Sequence, residues 1–133
     1  MTRFAIDSLT ALRLVREDIV VSEAHQLVAP NVLRSRVMSH LYREVREGAL
    51  SREEAREQLE RLTSMRVRLL GDRVSRAVAW KIAEQLDWDD TTSAEFVAVA
   101  QLQADAFVTL DQELARSVES IVTITPFEAL LDR

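Results

Sequence analysis

The sequence predicts an α/β domain built around a parallel sheet, and three observations lead to this prediction. Short apolar runs alternate with amphipathic helical patterns along the chain, which is the order that strand–helix–strand units produce. Residues 92–111 combine a helix of small apolar residues with a buried strand, and such a helix must be covered on more than one side. Two strands, Phe4–Ile6 and Ala106–Leu110, each end in an aspartate, Asp7 and Asp111. In parallel sheets, ligands and chemistry collect at these carboxyl ends.

Composition limits the classes of protein that this chain fits. With 133 residues and 47% apolar content, residues 1–133 are expected to form a single globular domain. A formal net charge of −5 argues against a protein that coats nucleic acid without selectivity, although it does not exclude a local basic groove. The absence of cysteine excludes disulfides and thiolate chemistry. No apolar run approaches the roughly 20 residues of a membrane span, and no signal peptide precedes the first strand, so we expect a cytoplasmic protein without membrane contact.

The first part of the chain is predicted to contain two strands and one helix. Phe4–Ile6 forms the first strand, and Ser8 stands where it can cap the helix that follows. Leu27–Ala29 forms the second strand, and Pro30 ends it because proline has no N–H to donate. Between these elements, residues 18–26 are ambiguous, since residues 19–21 fit a strand whereas residues 22–25 fit a turn of helix. The pattern leaves both possibilities open.

The middle of the chain is predicted to hold two successive helices. Asn31 caps the first helix, which runs to about Glu47, and Gly48 ends it. Ser51 and Glu54 form a capping box, which predicts the start of the second helix. The apolar residues of the first helix recur every four positions, at Leu33, Val37, Leu41 and Val45.

The second half of the chain repeats the alternation of strand and helix. Met65–Leu70 alternates in polarity and is predicted to be an edge strand with its arginines pointing outward. Gly71 and Asp72 turn the chain into another helix, and the apolar register of this helix places Trp80 in the core. Three elements follow the strand that ends at Asp111: a helix at Gln112–Val118, a strand at Ile121–Thr123 and a helix that begins at Pro126.

Asp7 and Asp111 are expected to be neighbours in space although they lie far apart in the sequence. Crossovers in parallel sheets are right-handed, so the ends of the strands gather along one edge. Two carboxylates at this edge are suited to hold Mg²⁺, which can activate water and stabilise a phosphodiester leaving group. Alternatively, each aspartate caps the helix that follows it, which is a common arrangement at strand ends. The residues themselves leave these two interpretations open.

Four segments of the chain resemble the PIN domain, and specifically the VapC-type toxins of bacterial toxin–antitoxin pairs. These segments are FAIDSLTALRL, LVAPNVLRS, GALSREEA and QADAFVTLDQELA, of which the last is the most specific. The resemblance spans almost the whole chain. It implies a three-layer PIN-like fold, an endoribonuclease activity on RNA that depends on Mg²⁺ or Mn²⁺, a homodimer, and a VapB-like antitoxin as partner.

The resemblance also implies four acidic residues around the metal ion, and this chain has two of them. Asp7 and Asp111 match the first and the last of these positions. The position in the helix after LVAP is Arg36, and the position that opens the small-residue helix is Ser93. Asp90 is the best candidate to compensate for Ser93, since a carboxylate there can reach over the helix N-terminus, and its alternative role is to cap this helix.

Two functions of different classes follow from this pattern. In the first, the chain is a VapC-like toxin that cuts RNA with Mg²⁺ or Mn²⁺ held by Asp7 and Asp111, with impaired or altered activity. In the second, it is a nuclease-inactive module that binds RNA or an antitoxin-like protein without cutting. The position of the Arg36 guanidinium distinguishes these two functions, because a guanidinium that bridges Asp7 and Asp111 replaces the metal ion. The alternative is that Arg36 extends into solvent.

Overall fold

A four-stranded parallel sheet forms the centre of the molecule. The computed structural model describes residues 1–132, and its strands stand in the spatial order β3-β2-β1-β4. All three pairs of neighbouring strands run parallel. The predicted α/β class is therefore confirmed. The strands are β1 (Thr2–Ile6), β2 (His25–Pro30), β3 (Val67–Leu70) and β4 (Ala106–Val108).

Helices flank this sheet and complete a three-layer α/β fold. Among residues 1–132 there are six α-helices and one short 3₁₀ helix, and none of these helices is long and apolar enough to cross a membrane. The six are α1 (Ser8–Arg16), α2 (Leu33–Arg46), α3 (Arg52–Ser64), α4 (Arg73–Gln85), α5 (Thr92–Gln103) and α6 (Gln112–Val118), and the 3₁₀ helix is Phe127–Leu131.

Helix α5 has a largely buried central part, as its composition predicts. It packs against β1 and β2 on one side and against α4 on another. Ala94, Val97 and Ala98 have no exposed surface, because their small side chains let the sheet and α4 approach closely. The strand that α5 leads into, β4, is buried along its whole length. The carboxyl end of this strand is thus held firmly in the core.

Local sequence signals predict several of the helix ends correctly. The capping box at the start of α3 is present, with the Glu54 N–H donating to the Ser51 hydroxyl at 3.1 Å. Gly48 follows α2 with a φ of +78°, a left-handed conformation that glycine adopts without strain. Two other predicted caps are wrong. Asp7 caps α1 instead of Ser8, and α2 begins at Leu33, with the Asn31 N–H donating to the Leu70 carbonyl at 3.0 Å.

Three further predictions need correction. Residues 19–21 form no strand, because the turn at Asp18 has a φ of 52° and leads the chain away from the sheet. The predicted strand at Ile121–Thr123 is reduced to one bridge between Ile124 and Phe107, since the chain turns away soon afterwards. Trp80 is 63% exposed, because α4 packs on α5 through the residues beside it. Successive helical residues differ by about 100° in direction, so Trp80 points away from the contact that Ala79 makes.

Candidate functional site

Asp7 is a buried carboxylate at the carboxyl end of β1. Its side chain is 7% exposed, and both of its oxygens accept hydrogen bonds from the protein. Oδ1 accepts the Thr10 N–H at 2.9 Å, which caps α1, and Oδ2 accepts the Thr109 hydroxyl at 2.5 Å. A buried charge is tolerated only when it is paired or hydrogen-bonded in this way. Each oxygen of Asp7 thus has one hydrogen-bond donor from the chain and keeps one further lone pair.

The Thr109 hydroxyl joins Asp7 to Asp111. While this hydroxyl donates to Asp7, its oxygen accepts the backbone N–H of Asp111 at 3.1 Å. The Asp111 carboxylate, which is exposed, accepts the Leu114 N–H at 3.0 Å and so caps α6. The two strand-end aspartates are therefore neighbours, as predicted from the sheet topology, and each caps the helix that follows it. Thr109 was not singled out from the sequence, because its hydroxyl becomes important only when β1 and β4 lie side by side.

Asp111, Asp90 and Ser93 share a cleft of about 270 Å³ at this edge of the sheet. One oxygen of Asp90 accepts the Thr92 N–H at 3.0 Å and stabilises the turn before α5. Asp90 does not have the capping role that the sequence offered as an alternative, because the N-cap of α5 is Thr91 and no side chain makes the capping hydrogen bond. Asp90 and Ser93 line the same cleft. The complete lining of the cleft is Trp88, Asp89, Asp90, Ser93, Asp111, Glu113, Leu114 and Ser117.

These carboxylates form an incomplete set of ligands for a divalent cation. In the part of the chain that the structure describes, no three acidic or histidine side chains are arranged to hold a metal ion. Asp7 does not line the cleft that contains Asp111, and each of its oxygens accepts one hydrogen bond from the chain. A carboxylate oxygen has two lone pairs, so an ion bound by Asp7 shares these oxygens with the Thr10 N–H and the Thr109 hydroxyl.

Arg36 does not bridge the two aspartates, so that prediction is wrong. Within residues 1–132 its guanidinium has no hydrogen bond or ion pair with Asp7 or Asp111. It lies on the exposed side of α2, beside Arg43 and Tyr42. The expected repulsion between the aspartates is avoided in another way, since Asp7 receives the Thr109 hydroxyl and Asp111 faces solvent.

A histidine that is one helical turn from Arg36, and that is by itself a poor ligand for Mg²⁺, lies next to the site. His40 is half-buried on α2, with Nε2 at 3.4 Å from the Ser8 hydroxyl and Nδ1 at 3.3 Å from the Arg43 guanidinium. A guanidinium can only donate, so Nδ1 accepts and the ring is neutral with its proton on Nε2. Burial, followed by the charges of Arg43 and Arg36, lowers the pKa of His40 from its ordinary 6.5. In the sequence, the spacing of four residues between His40 and Arg36 indicates that the two side chains are neighbours on the helix surface.

The lowered pKa of His40 predicts a loss of stability in weak acid. Because the folded state disfavours the imidazolium, the lowered pKa of His40 contributes to the free energy of unfolding. This contribution is complete above the unfolded pKa of 6.5, and it is lost as the pH falls from there towards the lower folded pKa. We expect the free energy of unfolding of the wild type to decrease more between about pH 7.5 and pH 5.5 than that of His40→Gln. Urea titrations at both pH values measure this difference. Equal losses in the two proteins would contradict the prediction.

Comparisons with known proteins support the fold. The crystal structure of PAE2754 from Pyrobaculum aerophilum is similar to this chain with a TM-score of 0.74 and 19% sequence identity. The similarity covers 98% of this chain and 94% of PAE2754. No protein-family profile matches the sequence, and no curated protein matches it. At this level of identity, the similarity to PAE2754 establishes the shared α/β architecture.

Proposed function

We propose that this chain is a VapC-like PIN-domain protein with impaired metal-dependent ribonuclease activity, which binds RNA without efficient cleavage. One observation carries the proposal. Two of the four acidic positions that the family resemblance implies are Arg36 and Ser93. Among the residues that the structure describes, no three acidic or histidine side chains are placed to hold a metal ion.

The electrostatic argument concerns the charge around the ion. A divalent cation such as Mg²⁺ needs oxygen ligands, and each carboxylate adds negative charge that offsets the loss of the ion's hydration. Here only two of the four positions are acidic, and Arg36 and Arg43 add positive charge nearby. The missing carboxylates therefore weaken the site for a divalent cation.

The proposal includes the partners that the family resemblance implies. These are a second copy of the chain in a homodimer and a VapB-like antitoxin, in the cytoplasm. Trp80 supports an interface, because it is a large aromatic side chain that remains 63% exposed on α4. Exposed aromatic residues are enriched in the centres of protein–protein interfaces.

Calorimetric titration with Mn²⁺ tests the proposal. We expect the wild type to bind Mn²⁺ weakly, with a heat signal that differs little from that of Asp7→Asn, because two of the four acidic positions are Arg36 and Ser93. Labelled RNA incubated with the wild type and Mn²⁺ is expected to remain largely intact. Tight Mn²⁺ binding that Asp7→Asn abolishes, together with efficient cleavage by the wild type, would overturn the proposal.

A further inference from the structure

The exposed side of α2 carries an unusual concentration of positive charge for a protein with a net charge of −5. Four arginines are exposed along this helix, and none of them forms an ion pair with a carboxylate within residues 1–132. In contrast, Arg13 and Arg16 of the neighbouring helix α1 are both paired, with Glu17 and Glu44. At about 100° per residue, three of the four project to one side of α2, whereas Arg34 points to the opposite side. We call these three, Arg36, Arg43 and Arg46, the α2 arginine face.

A hollow of about 490 Å³ lies on this face. Arg36 and Arg43 stand on one side of it, two helical turns and about 10 Å apart at 1.5 Å per residue. Met38 and Tyr42, which are one turn apart, form the other side, and the small Ser39 lies between. Tyr42 is 64% exposed, so one face of its ring is free for contact. Guanidinium groups and an open aromatic ring thus line the same hollow.

We propose that the α2 arginine face, with Tyr42, binds single-stranded RNA. The planar guanidinium matches the geometry of a phosphate group, so Arg36 and Arg43 hold the RNA backbone. The Tyr42 ring stacks on a base, and this requires a base that is not already stacked inside a duplex. Guanidinium groups beside an exposed aromatic ring provide the charge and the stacking platform by which proteins hold single-stranded nucleic acid. Charge complementarity and the ring together therefore favour single-stranded RNA as the ligand.

The location of this face supports the same ligand. His40 connects it to the sheet edge, since its ring contacts Arg43 on one side and Ser8, next to Asp7, on the other. RNA held on α2 accordingly passes close to the two strand-end aspartates. The inference rests on the proposed function in taking RNA as the ligand. It adds that Arg36, which occupies an acidic position of the family, belongs to an RNA-binding surface.

Fluorescence anisotropy with a labelled single-stranded RNA of mixed sequence, and with the same RNA as a duplex, tests this inference. We expect Arg36→Ala combined with Arg43→Ala to weaken binding of the single strand by at least roughly tenfold. The slope of log affinity against log salt is expected to decrease by about 1.4, for two phosphate contacts. Tyr42→Ala is expected to weaken binding by roughly 5- to 150-fold, whereas Tyr42→Phe keeps the stacking ring and retains affinity. The duplex is expected to bind more weakly than the single strand.

The matched control removes two arginines elsewhere. Arg66→Ala combined with Arg68→Ala makes the same change in net charge, on exposed residues before and within β3. An equal loss of affinity in this control and in the α2 variant would mean that only overall charge matters, and would overturn the inference. If RNA binds normally to all of these variants, the inference fails while the proposed function stands. If the wild type binds no RNA, both fail.

Discussion

Combining Arg36→Glu with Ser93→Asp is expected to tighten Mn²⁺ binding by at least roughly tenfold and to create measurable cleavage of RNA. Ser93 lines the cleft that contains Asp111 and Asp90, so an aspartate there adds a third carboxylate to the same space. Arg36→Glu removes a cation beside His40 and restores the acidic residue that the family resemblance implies. The two added carboxylates supply oxygen ligands and negative charge for the ion. Calorimetry and a labelled RNA substrate measure the two effects.

A matched variant separates the position of the new carboxylate from its charge. Ser117 lines the same cleft, from α6, so Arg36→Glu with Ser117→Asp introduces the same charge at a different place. We expect this control to bind Mn²⁺ more weakly than the Ser93 variant and to leave RNA intact. Adding Asp7→Asn to the Ser93 variant is expected to abolish both gains. Equal Mn²⁺ affinity in the Ser93 and Ser117 variants would show that the family geometry does not apply to this cleft.

Thr109→Val is expected to lower the free energy of unfolding by about 3 kcal/mol, the largest effect on stability that we predict for a single substitution at this site. Valine has nearly the same shape as threonine, so the packing of this buried residue changes little. The lost hydroxyl, however, leaves the buried Asp7 oxygen and the Asp111 N–H without the partners that they have in the wild type. Urea denaturation of the wild type and the variant, analysed with the same m-value, measures the change in the free energy of unfolding.

Thr109→Ser provides the control for this prediction. Serine retains the hydroxyl and loses one methyl group, so we expect a loss of about 1 kcal/mol. A result in which Thr109→Val is as stable as Thr109→Ser would mean that the hydroxyl bridge contributes nothing. In that case Asp7 has an alternative way to satisfy its oxygens.

Much of the architecture is predictable because it depends on local patterns. The capping box at Ser51, the glycine stop at Gly48 and the helix at Gln112–Val118 all follow from residues close together in the chain. The closeness of Asp7 and Asp111 was predictable for a different reason. In a parallel sheet with right-handed crossovers, the carboxyl ends of all strands lie along one edge. The residues that follow the strands are therefore brought close together.

The failures share a physical cause, which is the direction of individual side chains. Trp80 fits an apolar register, yet α4 uses the neighbouring Ala79 for its contact with α5, and the ring is turned outward. Arg36 occupies an acidic position of the family, but a long side chain on the exposed side of α2 extends into solvent when no carboxylate is within reach. Helical periodicity alone does not determine which face meets a neighbour.

The sequence by itself determined the order of strands and helices, the parallel sheet and the pair of aspartates at its edge. These features depend on hydrophobic periodicity and chain connectivity, which are properties of the sequence. Only the tertiary structure decided how these aspartates are satisfied. The Thr109 hydroxyl reaches Asp7 because β1 and β4 are adjacent, and His40 meets Ser8 because α2 lies beside α1. These contacts join residues from distant parts of the chain, and their hydrogen bonds exist only once packing has set the distances.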